Sequence, residues 1–495
     1  VNAEVILGPP GTGKTTALLR EVEKALEAGV SPRSICYAAF TKKAATEALT
    51  RAMDKFNLTT KDLPYFRTLH SLAFAALGMR RFQMMGKDQI AEFGDIMGLR
   101  MTSSLNMDEG TVFGSAPGDI ALFICNLARM TGKTLMEQWK ENPEDLGWYE
   151  VERVDAGLRK FKQVRALYDF TDLLEKYCWH VTPPQLDLLV IDEAQDLSML
   201  QWQMVGKMSE HSKRTIIAGD DDQAVFRWAG ADVDEFIRRS KSSHEVRVLG
   251  TSYRVPEKIR ALADTVIKRV STRAEKTWKP RKEEGTVSYH TNLSTIDMSE
   301  GTWLILTRNS YLLADAEQQC RREGLLFSRG RFSSVSQKSL RAIQGWEALR
   351  QGEEVGYNTV SEILSLIRHN GKPRPKDGEF TMIEVVHNWD LNCAGSIWHE
   401  AFDKMSIFER SYLVAMRRRG EKVTKDPRIK LSTIHSAKGG EADNVVLYTD
   451  MARRTYNNFL KNMDDELRVF YVGITRAKKN LYIITSQTKY FFRYI

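Results

Sequence analysis

At 495 residues the chain is too long for one hydrophobic core, and its 42% hydrophobic content is enough to fill several. A formal net charge of +8, from 72 basic against 64 acidic side chains, points to a polyanionic partner only weakly, because both signs are abundant. The five cysteines (Cys36, Cys125, Cys178, Cys320, Cys393) form no Cys-x-x-Cys pair, which argues against a zinc or iron–sulfur site or a disulfide framework and for reduced thiols. No apolar run approaches a membrane span or a signal-peptide core. The expected setting is therefore cytoplasmic.

The chain opens on a short apolar run, Val5-Ile6-Leu7, then Gly8-Pro9-Pro10-Gly11-Thr12-Gly13-Lys14-Thr15-Thr16, then a helical pattern from Ala17. G-x-x-x-x-G-K-[ST] between a strand and a helix is a phosphate-binding loop. Its unpaired backbone N–H groups at a helix N-terminus favour a polyphosphate, and glycine at 8 and 13 lets the backbone approach it. Lys14 is expected to reach the β- and γ-phosphates, and the Thr15 hydroxyl to ligate Mg²⁺. A second Gly-Lys-Thr at 132–134 has Leu127 in place of the first glycine and is read as chance.

Ser34–Phe40 reads as a buried strand and Lys42–Met53 as an amphipathic helix beginning at Thr41, so a parallel α/β sheet is expected. From about 75 to 185 the pattern turns helical, with periodicity over Gly118–Lys140 and Val151–Leu167. Strands resume at Leu186–Ile191 and Arg214–Gly219, both ending in acidic residues, and functional groups belong at such strand ends. A second α/β set begins near 251, with a strand at Thr302–Leu306 and a helix over Leu312–Glu323. From about 333 to 429 the chain is mostly helical and ends in a basic run, Arg417-Arg418-Arg419-Gly420-Glu421-Lys422, read as a solvated face. Strands return at Val445–Tyr448 and Leu481–Ile484, flanking a helix at about Asp464–Lys478.

Leu188-Leu189-Val190-Ile191-Asp192-Glu193 puts two carboxylates at the end of a buried strand, where folding alone does not require them. Beside a phosphate loop, Asp192 is expected to hold Mg²⁺, and Glu193 to orient and deprotonate the attacking water. Capping a helix N-terminus, the structural alternative, suits Asp196 better than this pair.

With the loop and Asp192-Glu193-Ala194-Gln195, further segments in the same order resemble the UvrD/Rep/PcrA-like family of superfamily 1 DNA helicases over nearly the whole chain. Phe40-Thr41-Lys42-Lys43-Ala44-Ala45 is similar to the family's motif Ia, and Thr68-Leu69-His70-Ser71 to motif Ib. Gly219-Asp220-Asp221-Asp222-Gln223 with Phe226-Arg227-Trp228 is similar to motif III, and Ser252-Tyr253-Arg254 to motif IV. Thr433-Ile434-His435-Ser436-Ala437-Lys438-Gly439 with Glu441 resembles motif V, and Tyr471-Val472-Gly473-Ile474-Thr475-Arg476-Ala477 motif VI.

The resemblance implies two RecA-like, parallel-sheet P-loop NTPase cores, each with a mainly helical insertion. The first core would occupy 1–74 and 186–250 around an insertion at 75–185, and the second 251–332 and 430–495 around an insertion at 333–429. It further implies a 3′→5′ single-stranded DNA translocase and helicase using ATP and Mg²⁺, with single-stranded DNA and single/double-strand junctions as partners. A different class, an ATP-gated clamp that remodels protein–DNA complexes with little strand separation, stays open. By motif position, Arg254 and Arg476 reach the γ-phosphate from the second core and Gln223 senses it. Tyr253 stacks on adenine and Glu441 bonds the ribose. Phe40, Thr68, His70, Phe226, Trp228, Thr433 and His435 would line the DNA path, since aromatic faces accept any unpaired base. Three departures stand out: no adenine-reading glutamine is seen between Val1 and the loop, so either the sequence is truncated upstream or adenine selectivity is relaxed and rests on Tyr253; Ala229 replaces a second arginine after the tryptophan; and Gly440 replaces a leucine.

Overall fold

The computed structural model describes residues 3–102, 116–142, 146–369, 377–393, 395–421 and 426–495. Val1 and Lys422, on which sequence readings fell, lie outside the described residues, as do Asn2, 103–115, 143–145, 370–376, 394, 423–425 and the Lys43 side chain.

Two sheets organise the chain. The first holds β1 (Ala3–Leu7), β2 (Ile35–Ala39), β3 (Phe66–Thr68), β4 (Leu186–Asp192), β5 (Ser212–Gly219) and β6 (Glu245–Val248), in the order β3-β2-β4-β5-β1-β6. Every neighbouring pair in it is parallel. Parallel strands need crossovers, which cover both faces, so β2 is buried along its whole length and reads as an unbroken apolar run. The helix Lys14–Glu27 leaves the end of β1 and returns the chain to β2, three places along the sheet. That path brings the phosphate loop and the carboxyl ends of β4 and β5 to one edge, the usual location of a ligand crevice.

The second sheet holds β7 (Thr286–His290), β8 (Trp303–Thr307), β9 (Phe327–Arg329), β10 (Phe332–Ser333), β13 (Ile429–Thr433), β14 (Ala442–Tyr448) and β15 (Ala477–Ile484). Its order is β10-β9-β13-β8-β14-β15-β7, parallel except for the antiparallel β9/β10 pair. Between β10 and β13 the chain is helical, with one small pair, β11 (Val355–Gly356) and β12 (Glu379–Phe380). The fold is therefore α/β, with two parallel-sheet cores of the RecA-like type.

Some elements differ from the sequence expectation. The periodicity over Gly118–Lys140 is two helices, Pro117–Thr131 and Leu135–Glu141. They are split at Gly132, which ends the first in the left-handed region at φ 70°. Thr134 caps the second, its hydroxyl accepting from Glu137 N at 3.2 Å. The stray Gly-Lys-Thr is thus a helix stop and start. Asp196 caps nothing: Ser198 caps the helix Met199–Glu210, accepting from Gln201 N at 3.3 Å, and the Asp196 carboxylate turns to the second core. Arg417, Arg418 and Arg419 are exposed in the last turn of the helix Ile407–Arg419, as a solvated face would be.

Candidate active site

The phosphate loop is shaped by two left-handed glycines, Gly11 at φ 72° and Gly13 at φ 79°. Gly13 caps the helix Lys14–Glu27 without a side-chain hydrogen bond, and no acidic residue sits in the first turn. The N-terminal amides keep their capacity for an anion. Gly8 is needed for space: a Cβ there would lie 1.9 Å from Lys14 Cγ. Lys14 Nζ donates to Gly8 O at 3.1 Å and sits 3.6 Å from Glu193 Oε1.

Facing the loop, the β4 end places Asp192 where its Oδ2 accepts from Tyr37 Oη at 2.8 Å and from Thr15 Oγ1 at 3.4 Å. Burial, then the neighbouring Glu193 charge, pushes the Asp192 carboxyl up to about 6, against the pull of Lys14. Thr15 and Asp192 offer adjacent hard oxygens, one in a carboxyl group short of positive charge, and that donor set fits Mg²⁺. Glu193 adopts the left-handed conformation at φ 54°. Burial would raise its carboxyl, but Lys14, Lys438, the Gln195 hydrogen bond and Arg476 together carry it down to about 2. It is ionised at neutral pH, as a base must be. Gln195 fixes it, donating from Nε2 to Glu193 Oε2 at 2.6 Å while its Oε1 accepts from Asp220 N at 2.9 Å.

The second core closes on this edge through backbone and side chains. Ser252 Oγ donates to Pro10 O at 2.7 Å and Tyr253 N donates to Gly11 O at 2.9 Å. The Tyr253 ring is 76% exposed beside the loop, available to stack on a base. Arg476, 1% exposed, donates to Gln223 Oε1 at 2.8 Å, Val472 O at 3.0 Å and Gly440 O at 3.3 Å. Burial and the nearby Arg254 lower its affinity for a proton toward about 9. The other end of the Gln223 amide donates to Asp220 Oδ2 at 2.6 Å. Arg254 and Glu441, to which the family resemblance assigns separate ligand contacts, hold each other here, Nε to Oε2 at 2.6 Å, and Lys478 takes Glu441 Oε1 at 2.6 Å.

The residues expected on the DNA path divide into groups. Phe40 stacks on Phe226 with ring centroids 5.5 Å apart, and Phe226 also meets His435 at 6.5 Å. Trp228 stands apart, facing Phe123 of the first insertion at 6.3 Å and 26°. It lines a cleft of about 650 Å³ with His435, Arg227, Arg308, Asn457 and Asn458. His70 packs edge-on against Phe170 at 5.9 Å, and burial pulls its imidazole down to about 4. The two threonines have local work: Thr68 caps the helix Leu69–Ala76, accepting from Ser71 N at 3.3 Å, and Thr433 Oγ1 is 3.0 Å from Ser436 Oγ.

Sequence reasoning passed over several residues. Lys438 donates to Asp196 Oδ2 at 2.5 Å and to Gln223 O at 2.7 Å, and stands 5.2 Å over the Phe226 ring. Lys276, fully buried, pairs with Asp220 at 2.8 Å, with Asp222 at 3.1 Å and with Asp221. Arg273 also takes Asp222, at 3.0 Å. Lys438 and Tyr37 lie in or beside segments singled out for other residues, whereas nothing in the local sequence marks Lys276.

A phosphate loop, a paired Asp-Glu at the end of β4 and an arginine from a second core reaching a glutamine beside them place this chain in the P-loop class, with a two-core cleft. Residues 2–244 match the UvrD/REP helicase N-terminal domain and residues 395–488 the UvrD-like helicase C-terminal domain. The chain belongs to the UvrD-like helicase family. It is 24% identical over 310 residues to the ATP-dependent DNA helicase PcrA of Bacillus subtilis, covering 58% of this chain and 40% of that protein. Against DNA helicase II of Escherichia coli it is 25% identical over 312 residues, 59% of this chain and 42% of that one. A probable DNA helicase of Mycoplasma pneumoniae aligns over 99% of this chain and 82% of its own length at 22% identity. The chain thus spans about two fifths of PcrA and of DNA helicase II. Among the described residues no helix is long and apolar enough to cross a membrane.

Proposed function

We propose that the chain is an ATP-driven motor that moves 3′→5′ along single-stranded DNA and opens duplex at single/double-strand junctions. The observation that carries this is the Arg476–Gln223 contact across the cores, beside the ionised Glu193. It places a cation from one core on the group expected to read the γ-phosphate in the other, so cleft closure follows nucleotide state. Thr15 and Asp192 would hold Mg²⁺, which supplies charge neutralisation to the phosphates. The loop amides and Lys14 would grip the polyphosphate, and Tyr253 would stack on the base. Glu193 would take the proton of the attacking water, held in aim by Gln195. Arg476, and Arg254 on leaving Glu441, would stabilise charge on the transferred phosphoryl group. The family likeness supports the polarity.

The test is ATP hydrolysis with and without single-stranded DNA, beside unwinding of duplexes bearing a 3′ or a 5′ tail. DNA-stimulated hydrolysis with unwinding from the 3′ tail is expected. Unwinding only from the 5′ tail overturns the polarity, and translocation without strand separation turns the reading to a clamp that remodels protein–DNA complexes.

A further inference from the structure

The wall that carries Trp228 holds an arginine whose pairing is incomplete. Arg227 precedes the tryptophan on the same short turn, Arg227–Ala229, and its side chain is 33% exposed. Its Nη2 lies 3.6 Å from Asp234 Oδ2 in the first core, and its Nε 3.5 Å from Asp465 Oδ1 in the second. Both are charge contacts at the outer edge of hydrogen-bonding range, and Asp465 Oδ1 is buried with no hydrogen bond of its own. The Trp228 Nε1–H beside it is likewise buried without an acceptor. Arg308 in the same cleft is the contrast: it meets Glu466 through two bonds of 2.7 Å and is 3% exposed.

Arg227 and Trp228 line both the cleft of about 650 Å³ and an adjoining one of about 500 Å³, so donors with spare capacity sit where two openings meet. Position 229, where the family resemblance leads one to expect an arginine, is alanine. We propose that Arg227 is the phosphate-binding residue of this wall, exchanging its loose hold on Asp234 and Asp465 for a backbone phosphate of the strand whose base stacks on Trp228. This rests on the DNA-motor reading above. A guanidinium suits the role because its planar fork meets phosphate with two short bonds. The two carboxylates act as resident counter-ions that hold it in place between phosphates. Asp465 also opens the helix Met463–Ile474, which leads straight to Arg476, so the exchange is made on an element that reaches the ATP cleft.

The experiment is binding of a fluorescent oligothymidylate across a series of KCl concentrations by the whole chain and by R227A, R227K, D234N and W228A. One phosphate contact on a single strand contributes about 0.7 to the slope of log K against log salt. R227A is expected to bind more weakly with a slope shallower by about that amount, R227K to keep the slope, and D234N, which frees the guanidinium, to bind several-fold tighter. W228A is expected to weaken binding with the slope unchanged. An R227A slope equal to that of the unmodified chain overturns the assignment while leaving the motor reading intact. Absence of DNA binding by the unmodified chain overturns the motor reading, and the assignment with it.

Discussion

Glu193 is the residue on which hydrolysis is expected to turn. Held ionised by three cations and aimed by Gln195, it serves the chemical step more than binding. Glu193→Gln should lower kcat by at least about a hundredfold with ATP affinity retained, and unchanged turnover would remove its role as base. The two arginines should behave differently. Arg254→Ala and Arg476→Ala should each cost on the order of 10³ in turnover and leave ADP binding nearly intact. Only Arg476→Ala should also lower the urea midpoint, because it strands the buried Gln223 Oε1 acceptor while Glu441 keeps Lys478. His70 makes stability depend on acid. Burial lowers its folded pKa from the ordinary 6.5 to about 4, so its contribution is full above 6.5 and is lost as pH falls toward 4. The urea midpoint should fall from pH 7 to pH 5, and less so in His70→Asn. An equal fall in both proteins would assign the effect elsewhere.

Apart from those that the family resemblance supplied, the residues legible in the sequence were those whose chemistry lies in one short stretch of chain. Gly8–Thr16 and Asp192-Glu193 each carry their chemistry in one contiguous stretch. Lys438 and Lys276 were not legible, because each acquires its role from carboxylates brought in by folding from distant stretches. Asp196 was misread for the same reason: an acidic residue before a helix looks like a cap until its partner across the cleft is seen.

At the scale of elements, strands buried on both faces were visible as apolar runs, β4 and β5 among them. Their edges were not. β3 has only three residues, and β6 and β7 lie at sheet edges with mostly exposed or half-buried side chains, so neither run nor alternation marks them. The turn after β5 carries a concentrated charge, since Asp220, Asp221 and Asp222 are all buried around Lys276. Lys276→Met should destabilise by about 3–5 kcal/mol, the scale of breaking a buried ion pair from one side, with Lys276→Arg recovering part of it. A urea midpoint unmoved by Lys276→Met would show that Arg273 carries the cluster alone.

On the scale of the whole molecule, Lys438 is a group of the second core that touches both ligand regions of the first. It joins Asp196 and Gln223 O on the nucleotide side to the Phe226 ring on the other. Lys438→Met should therefore reduce the ratio of DNA-stimulated to basal ATPase several-fold, with Lys438→Arg intermediate. A ratio unchanged by the substitution would make the contact a brace and no more.

The bond from Ser252 to the Pro10 carbonyl gives the phosphate loop two audiences. A peptide unit is rigid, so that carbonyl and the Gly11 N–H are opposite ends of one plate. Tilting the plate to greet or release an anion tilts the end that the second core holds through the Ser252 hydroxyl. The loop is a seesaw, and the second core sits on its far end.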